Sequence, residues 1–365
     1  MMRNLIIMTI ISFSVAVFAE KRPSPRLGGL GYPKPNIIAF ILPAVMFTTY
    51  SGLRQLCGDT YYYIFSYKLL PDNMEMPKFN FGGNQMFEIL QWLFRRVTDD
   101  AQPFIFICSV ISLVPVIYIL YKYSYPFDIS LFLFVTTGYF SLSMNGMRQY
   151  VAAGILVLGT KYFLSEKKGA WYKFIIVALI AYLFHSSALI MIPLFFIARR
   201  RAWTPLTFII ITASVFFFMM FQDLLPSLLG VIEDTAYNRY VENGWFTSGQ
   251  EGGSSISRVI VMAVPVVLSY MARGRMAMLG KKGDILANIA VINFAISIIA
   301  LNNWIFTRFS IYLGTYMIIL IAWVITQGFS EKSAKYVYLM SIVLYCFYFY
   351  KLRYSILDYW SPYFS

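Results

Sequence analysis

An all-α, polytopic transmembrane helix bundle is the fold class this sequence predicts, and three observations predict it. Of 365 residues, 59% are hydrophobic and 13% charged, against roughly 50% and 25% in soluble domains. The apolar residues fall in repeated continuous runs of about 17–25, long enough to cross a bilayer as helix. Such runs do not alternate, which argues against a β-barrel. The formal net charge of +13 sits in basic clusters between the runs, as it does on cytoplasmic loops. In a soluble protein that charge would point to nucleic acid. Here it marks topology, and no nucleic-acid partner is expected.

The chain opens M-M-R-N-L-I-I-M-T-I-I-S-F-S-V-A-V-F-A-E-K-R-P. Val17 and Ala19 would suit a signal-peptide cleavage site. Lys21, Arg22, Arg26 and Lys34 follow at once, which favours a retained first span and a cytoplasmic loop. A second span, 36–51, leads into a polar, aromatic, turn-rich stretch at about 53–102 that reads as an extracytoplasmic loop with short interfacial helices. Further spans fit 103–121, 128–144 and 150–164.

The apolar segment 173–198 is bracketed by Lys167, Lys168 and Lys173 on one side and Arg199, Arg200 and Arg201 on the other. One span would push one cluster outside. Two half-helices meeting near His185 keep both inside, so a broken-helix hairpin is expected, a form tolerated where it lines a protein-enclosed cavity. Then come 205–221, a second extracytoplasmic loop at about 222–257, and 258–272. A basic loop, 273–283, precedes spans 285–300, 305–326 and 336–350. That amounts to about twelve membrane segments, both termini outside, in a single integral-membrane domain, 1–365. No internal repeat is visible, which weakens an inverted-repeat transporter reading.

Most soluble chemistry is excluded. One histidine and three scattered cysteines, Cys57, Cys108 and Cys346, offer no zinc-type ligand set. The stretch 274–282 has the wrong glycine spacing for a phosphate loop and Lys-Lys where Lys-Ser/Thr is needed. No Asp-x-Asp pair is present to hold a metal-bound nucleotide sugar. Neither a cofactor nor a metal is expected. The topology instead gathers Arg148, His185 and Arg308 at extracytoplasmic ends of segments, with Arg54 and Asp59 just outside the second span. Such cations suit phosphate, and an imidazole or carboxylate can move a proton. Each has a plainer reading: the arginines as interface anchors, His185 as the polar group of a packed helix bend, Asp59 as a helix N-cap.

Four blocks resemble the EpsG family, the Wzy-like polymerases of bacterial exopolysaccharide and O-antigen synthesis. They are R-x4-D-T-x-x-Y at 54–63, M-R-Q-Y-V-A at 147–152, A-Y-L-F-H-S-S-A-L at 181–189 and R-F-S-I-Y at 308–312. The resemblance spans roughly 36–325, and the Arg-Gln and His-Ser-Ser-Ala-Leu blocks are its most specific parts. One departure stands out. Such proteins often carry an acidic residue shortly before a Phe in the first outer loop, whereas here Gly82-Gly83-Asn84-Gln85 precede Phe87, with Glu88 after it.

The resemblance implies a glycosyltransferase whose donor is a lipid-linked glycan. The growing chain on undecaprenyl pyrophosphate would pass to another lipid-linked repeat unit at the outer face of the bacterial inner membrane. Arg148 and Arg308 are then expected at the pyrophosphate, and His185 at the acceptor hydroxyl or its orientation. Asp59 is the competing base. Arg54, Gln149, Asn145, Ser186 and Tyr312 are expected as binders. The implied partners are the bilayer, the lipid-linked oligosaccharide, and chain-length regulator and flippase proteins. The alternatives are an O-antigen-ligase-type transferase, with the same donor and another acceptor, and a flippase or transporter of lipid-linked sugars.

Overall fold

The computed structural model describes residues 2–21, 23–71, 73, 75–79, 81–225, 253–352 and 358–364. Among them the chain is helical, with two isolated β-bridges, Leu27 to Pro33 and Leu56 to Trp360, and no longer strand. It divides into two compact units, Met1–Phe195 with Ile318–Ser365, and Phe196–Met317.

The first unit opens with α1 (Met2–Glu20), α2 (Ile38–Gly52), α3 (Thr60–Lys68) and α4 (Gln85–Arg95), followed by the long α5 (Gln102–Tyr123). Next come α6 (Phe127–Thr136), α7 (Tyr139–Leu142), α8 (Met147–Val157), α9 (Thr160–Phe163) and α10 (Ala170–Tyr182). A 3-10 turn, Ser186–Ile190, leads to α11 (Met191–Ala198), and Glu331–Leu352 returns to this unit near the end of the chain. α5 is the central post, with α2 and α8 packed along it. Small residues set these approaches. A Cβ on Gly154 of α8 would lie 2.1 Å from the Ile111 carbonyl oxygen, and one on Gly52 would lie 2.5 Å from the Phe106 ring. The stretch between α2 and α5 is no loose excursion. Tyr63 and Tyr67 of α3 and Phe87 of α4 bury with Phe104, Cys108, Met147 and Val151 in one cluster on α5 and α8.

In the second unit, Lys281–Ile299 is the helix against which α12 (Pro205–Met219) and Ile256–Met271 pack. Asn288 Nδ2 donates to the carbonyls of Ala198 (3.0 Å) and Arg200 (2.7 Å), and Asp284 Oδ1 accepts from the Ala202 amide at 2.9 Å. These bonds fasten the turn before α12.

Of the about twelve membrane segments expected, the described residues show fewer helices of full spanning length. Three described helices are long and apolar enough to cross a membrane, Met2–Glu20, Gln102–Tyr123 and Lys281–Ile299, or up to five if each of two bent pairs is one span. Five other apolar helices have only 10–17 residues. Hydropathy sums side chains and is blind to breaks in the backbone. The expected span 128–144 divides at Gly138, whose φ of 81° is left-handed and ends α6. The expected span 305–326 starts as a 3-10 helix, Trp304–Tyr312, and bends by 68° into Gly314–Gln327. Near His185, α10 ends at Tyr182 and the 3-10 turn Ser186–Ile190 follows. Of the second extracytoplasmic loop expected at about 222–257, residues 226–252 lie outside the described residues.

Candidate functional site

The end of α2 carries the first cluster. A helix leaves its last carbonyls without intrahelical donors, and Arg54 supplies one of them by reaching back. Its Nη1 donates to the Ser51 carbonyl (2.5 Å), Ser51 Oγ (2.9 Å) and Ser109 Oγ (3.0 Å), while Nε donates to Thr60 Oγ1 (2.8 Å). Arg54 is 1% exposed, and these donors are committed to the protein. Burial lowers the guanidinium pKa, with Cys57 and Asp59 among the groups opposing that. Burial also pushes the Cys57 thiol up to about 11, against the pull of Arg54. Arg54 is therefore a node of the loop that presents Asp59.

Asp59 connects this loop to the start of α8. Its Oδ2 accepts from the Gly146 amide at 2.8 Å. Gly146 holds φ at 73°, a left-handed geometry that glycine adopts without strain, so the chain can turn sharply into the helix that begins with Met147 and Arg148. Asn145 stands exposed on the same turn. Arg148 lies over two rings, with its guanidinium carbon 5.1 Å from the Phe87 centroid and 5.7 Å from that of Tyr63. Its Nε is buried without a hydrogen-bond partner. A cation held on aromatic faces with an unused donor is primed for an anion. Burial raises the pKa of the Tyr63 hydroxyl and Asp59 adds to the rise, while the charge and amide of Arg148 oppose it.

His185 is linked to Gln149, the residue after Arg148, through Ser187. Gln149, 2% exposed, donates from Nε2 to Ser187 Oγ at 3.1 Å, and Ser187 Oγ lies 2.8 Å from His185 Nδ1. The Ser187 amide also donates to Nδ1 at 3.3 Å, so the imidazole caps the 3-10 turn. A nitrogen that accepts from an N–H carries no proton, and the neutral ring then holds its proton on Nε2. His185 in this arrangement is a donor at Nε2. The start of α4 closes over the break: the Met86 amide donates to the Leu183 carbonyl at 2.9 Å, and a Cβ on Gly83 would lie 2.7 Å from Ser186 Cβ.

The structure thus joins Arg54, Asp59, Arg148, Gln149 and His185 through short links, with Asn145 and Ser186 at the edges of the same turns. Arg308 and Tyr312 belong to the other unit. There Arg308 lies over Trp304 at 4.9 Å, on a 3-10 helix whose first turn is capped by Asn303 Oδ1 accepting from the Ile305 amide at 2.9 Å, and Tyr312 is 3% exposed. Sequence reasoning singled out Ser186, yet Ser187 is the serine that bonds both Gln149 and His185. The signal was available, since a capping side chain accepts from the amide two residues on. It also passed over Ser51, Thr60 and Ser109, whose hydroxyls accept from Arg54. Glu88, the acid nearest Phe87, is exposed on α4. Among the described residues no group of three or more His, Cys, Asp or Glu stands together as a metal site.

The EpsG family model matches residues 37–365, nearly the whole chain. No curated protein and no solved structure matches.

Proposed function

We propose a function from one premise: the chain belongs to the EpsG family, and is with that a polysaccharide-polymerase-like membrane protein, a polymerase of glycosyltransferase type. Its donor is a glycan on undecaprenyl pyrophosphate, and its acceptor is a second lipid-linked repeat unit at the extracytoplasmic face of the bacterial inner membrane, which the chain crosses several times. In the reaction, the bond from the anomeric carbon to the pyrophosphate oxygen breaks and its electron pair leaves with the pyrophosphate. The acceptor hydroxyl oxygen bonds to that carbon and gives up its proton. The leaving group develops negative charge, which fixed cationic donors stabilise most where no water reorganises.

The observation that carries this reading is Arg148, whose guanidinium rests on Phe87 and Tyr63 with a buried, unpaired Nε. It is assigned to the pyrophosphate oxygens, in place of a metal ion. His185, donating from Nε2, is assigned to orient a substrate oxygen, and Asp59 to take the acceptor proton. Asn145, on its exposed turn, and Ser186 are assigned to sugar hydroxyls, with Gln149 and Arg54 holding the frame. Arg308 and Tyr312 are assigned as substrate contacts of their own unit. A flippase and a chain-length regulator are its expected partners.

The test is Arg148→Lys, which keeps the charge and loses the planar fork that grips two oxygens. The expected result is wild-type protein level, a polymer yield reduced by about 10²-fold or more, and repeat units that reach the outer leaflet and accumulate there. Repeat units trapped on the cytoplasmic leaflet would overturn the polymerase in favour of a flippase. Wild-type polymer would return Arg148 to the role of an interface anchor.

A further inference from the structure

The end of α2 has four carbonyls to satisfy, and their partners come from three parts of the chain. Ser51 is served by Arg54 (2.5 Å) and Gly52 by Gln102 Nε2 (2.6 Å), while Tyr50 is served by Tyr359 Oη (2.8 Å) and Leu53 by Ser361 Oγ (2.7 Å). Two of the four therefore depend on residues more than 300 positions away. The same segment pairs with the loop itself. Trp360 donates its amide to the Leu56 carbonyl (2.9 Å) and its carbonyl accepts from the amides of Gln55 (3.0 Å) and Leu56 (3.2 Å). Tyr359 stacks on Tyr50 with centroids 4.3 Å apart and planes within 6°. Phe364 packs against Tyr50 at 5.2 Å, and its carbonyl accepts from Asn4 Nδ2 at 3.4 Å. Ser361 is 1% exposed.

We propose that the C-terminal segment 358–364 is a strap that positions the 53–59 loop, so that Tyr359, Trp360 and Ser361 set the place of Asp59 and, through Gly146, the entry of Arg148. These three are positioning residues for the reaction, and that role rests on the polymerase reading above. The physical case is one of accounting. Residues 50–56 take in the last turn of α2 and the stretch after it, where no sheet begins, so their backbone polar groups need outside partners. Without the segment, the Tyr50, Leu53 and Leu56 carbonyls and the Gln55 and Leu56 amides lose theirs together. Arg54 and Thr60 would still bond each other. Their anchor would be a loop free to open locally, as segments with few satisfied backbone groups do.

Cys57 reports on the loop without reference to catalysis. It is fully buried, as is Cys108 on α5, and burial keeps its thiol protonated at neutral pH. The experiment uses the full chain in membranes, N-ethylmaleimide as probe, and peptide-resolved mass spectrometry to read Cys57 and Cys108 separately. The variants are Trp360→Pro, which lacks the amide donor, and Ser361→Ala, which lacks one hydroxyl.

The expected result for Trp360→Pro is Cys57 alkylation faster by about tenfold or more, Cys108 still protected, unchanged protein level, and a lost or shortened polymer ladder. Ser361→Ala should lie between wild type and that variant. Cys57 protected as in wild type in both variants overturns the strap. Cys57 opened with a wild-type ladder overturns its positioning role. If Trp360→Pro also exposes Cys108, the chain has unfolded globally, and Ser361→Ala decides by the same two criteria. A wild-type chain that makes no polymer would sink the polymerase reading alone, because Cys57 still decides for or against the strap.

Discussion

His185 presents two nitrogens with different duties. Nδ1 accepts from the Ser187 amide at 3.3 Å, which leaves the proton of the neutral ring on Nε2. A base at Nε2 would need the opposite tautomer, and that would set an N–H against the Ser187 amide. Amide substitutions separate the two atoms. His185→Asn places a carbonyl oxygen near Nδ1 and keeps the cap, so the protein should accumulate normally and make no polymer. His185→Gln places an NH2 near Nε2 and gives up the cap at a cost of about 0.5–2 kcal/mol, so it should retain measurable polymer at reduced protein level. Asp59→Asn can still accept from the Gly146 amide and cannot take a proton. It should be folded and inactive, with a rate loss of about 10²–10⁴. Polymer ladders and immunoblots of the three variants check this. Inactivity of both histidine variants together with an active Asp59→Asn would move the proton to His185.

At the scale of elements, the candidate site depends on α4 seating against the break between α10 and the 3-10 turn. Gly83 is the contact. A Cβ there would lie 2.7 Å from Ser186 Cβ and 3.0 Å from its Cα, so a methyl group cannot be added without moving that backbone. Gly83→Ala should displace the turn that carries His185 and Ser187, lowering polymer yield by about tenfold or more while costing on the order of 1–3 kcal/mol in stability. Purified protein would show a lower unfolding temperature together with the loss of polymer. Normal polymer at an unchanged unfolding temperature would mean that α4 is not seated there. The same contact gives Gly83 a reason to stand before Phe87: it passes close to the Ser186 backbone, a task unrelated to acid–base chemistry.

For the whole molecule, the expectation to check is sidedness. The residues that join the Arg54 loop, the Gly146 turn and the His185 break come from separate parts of the first unit, and the polymerase reading requires that group to face outward. Single cysteines introduced at 60–100 or 225–255 should therefore react with an impermeant maleimide in intact cells, and those at Gly274 or Lys281 only after lysis. The reverse pattern would turn the site to the cytoplasm and remove it from outer-leaflet substrates. The basic clusters at 199–201 and 273–282 carry this expectation, because lysine and arginine near span ends orient a membrane chain.

By itself the sequence determined the class of the protein and the chemistry of its polar groups. Apolar runs and low charge required helices in a bilayer, and the R-Q and H-S-S-A-L blocks pointed to the family that the match over 37–365 then showed. It also identified Arg54, Asp59, Arg148, Gln149 and His185 as groups to watch, because polar side chains beside membrane runs are costly and rarely idle. Only the tertiary structure decided which of them spend their donors inside the protein and which keep one unspent. Arg54 and Arg148 look alike in the sequence, yet one spends its donors on Ser51, Thr60 and Ser109 while the other lies on rings with an unpaired Nε. The tautomer of His185 turned on an amide two residues away. The partners of the Leu53 and Tyr50 carbonyls lay at the far end of the chain, in Ser361 and Tyr359. Periodicity and composition register where apolar surface must go, over a few turns at a time. A hydrogen bond is decided by which atoms the packed chain leaves within 3 Å or so of each other, and nothing local to either residue contains that distance.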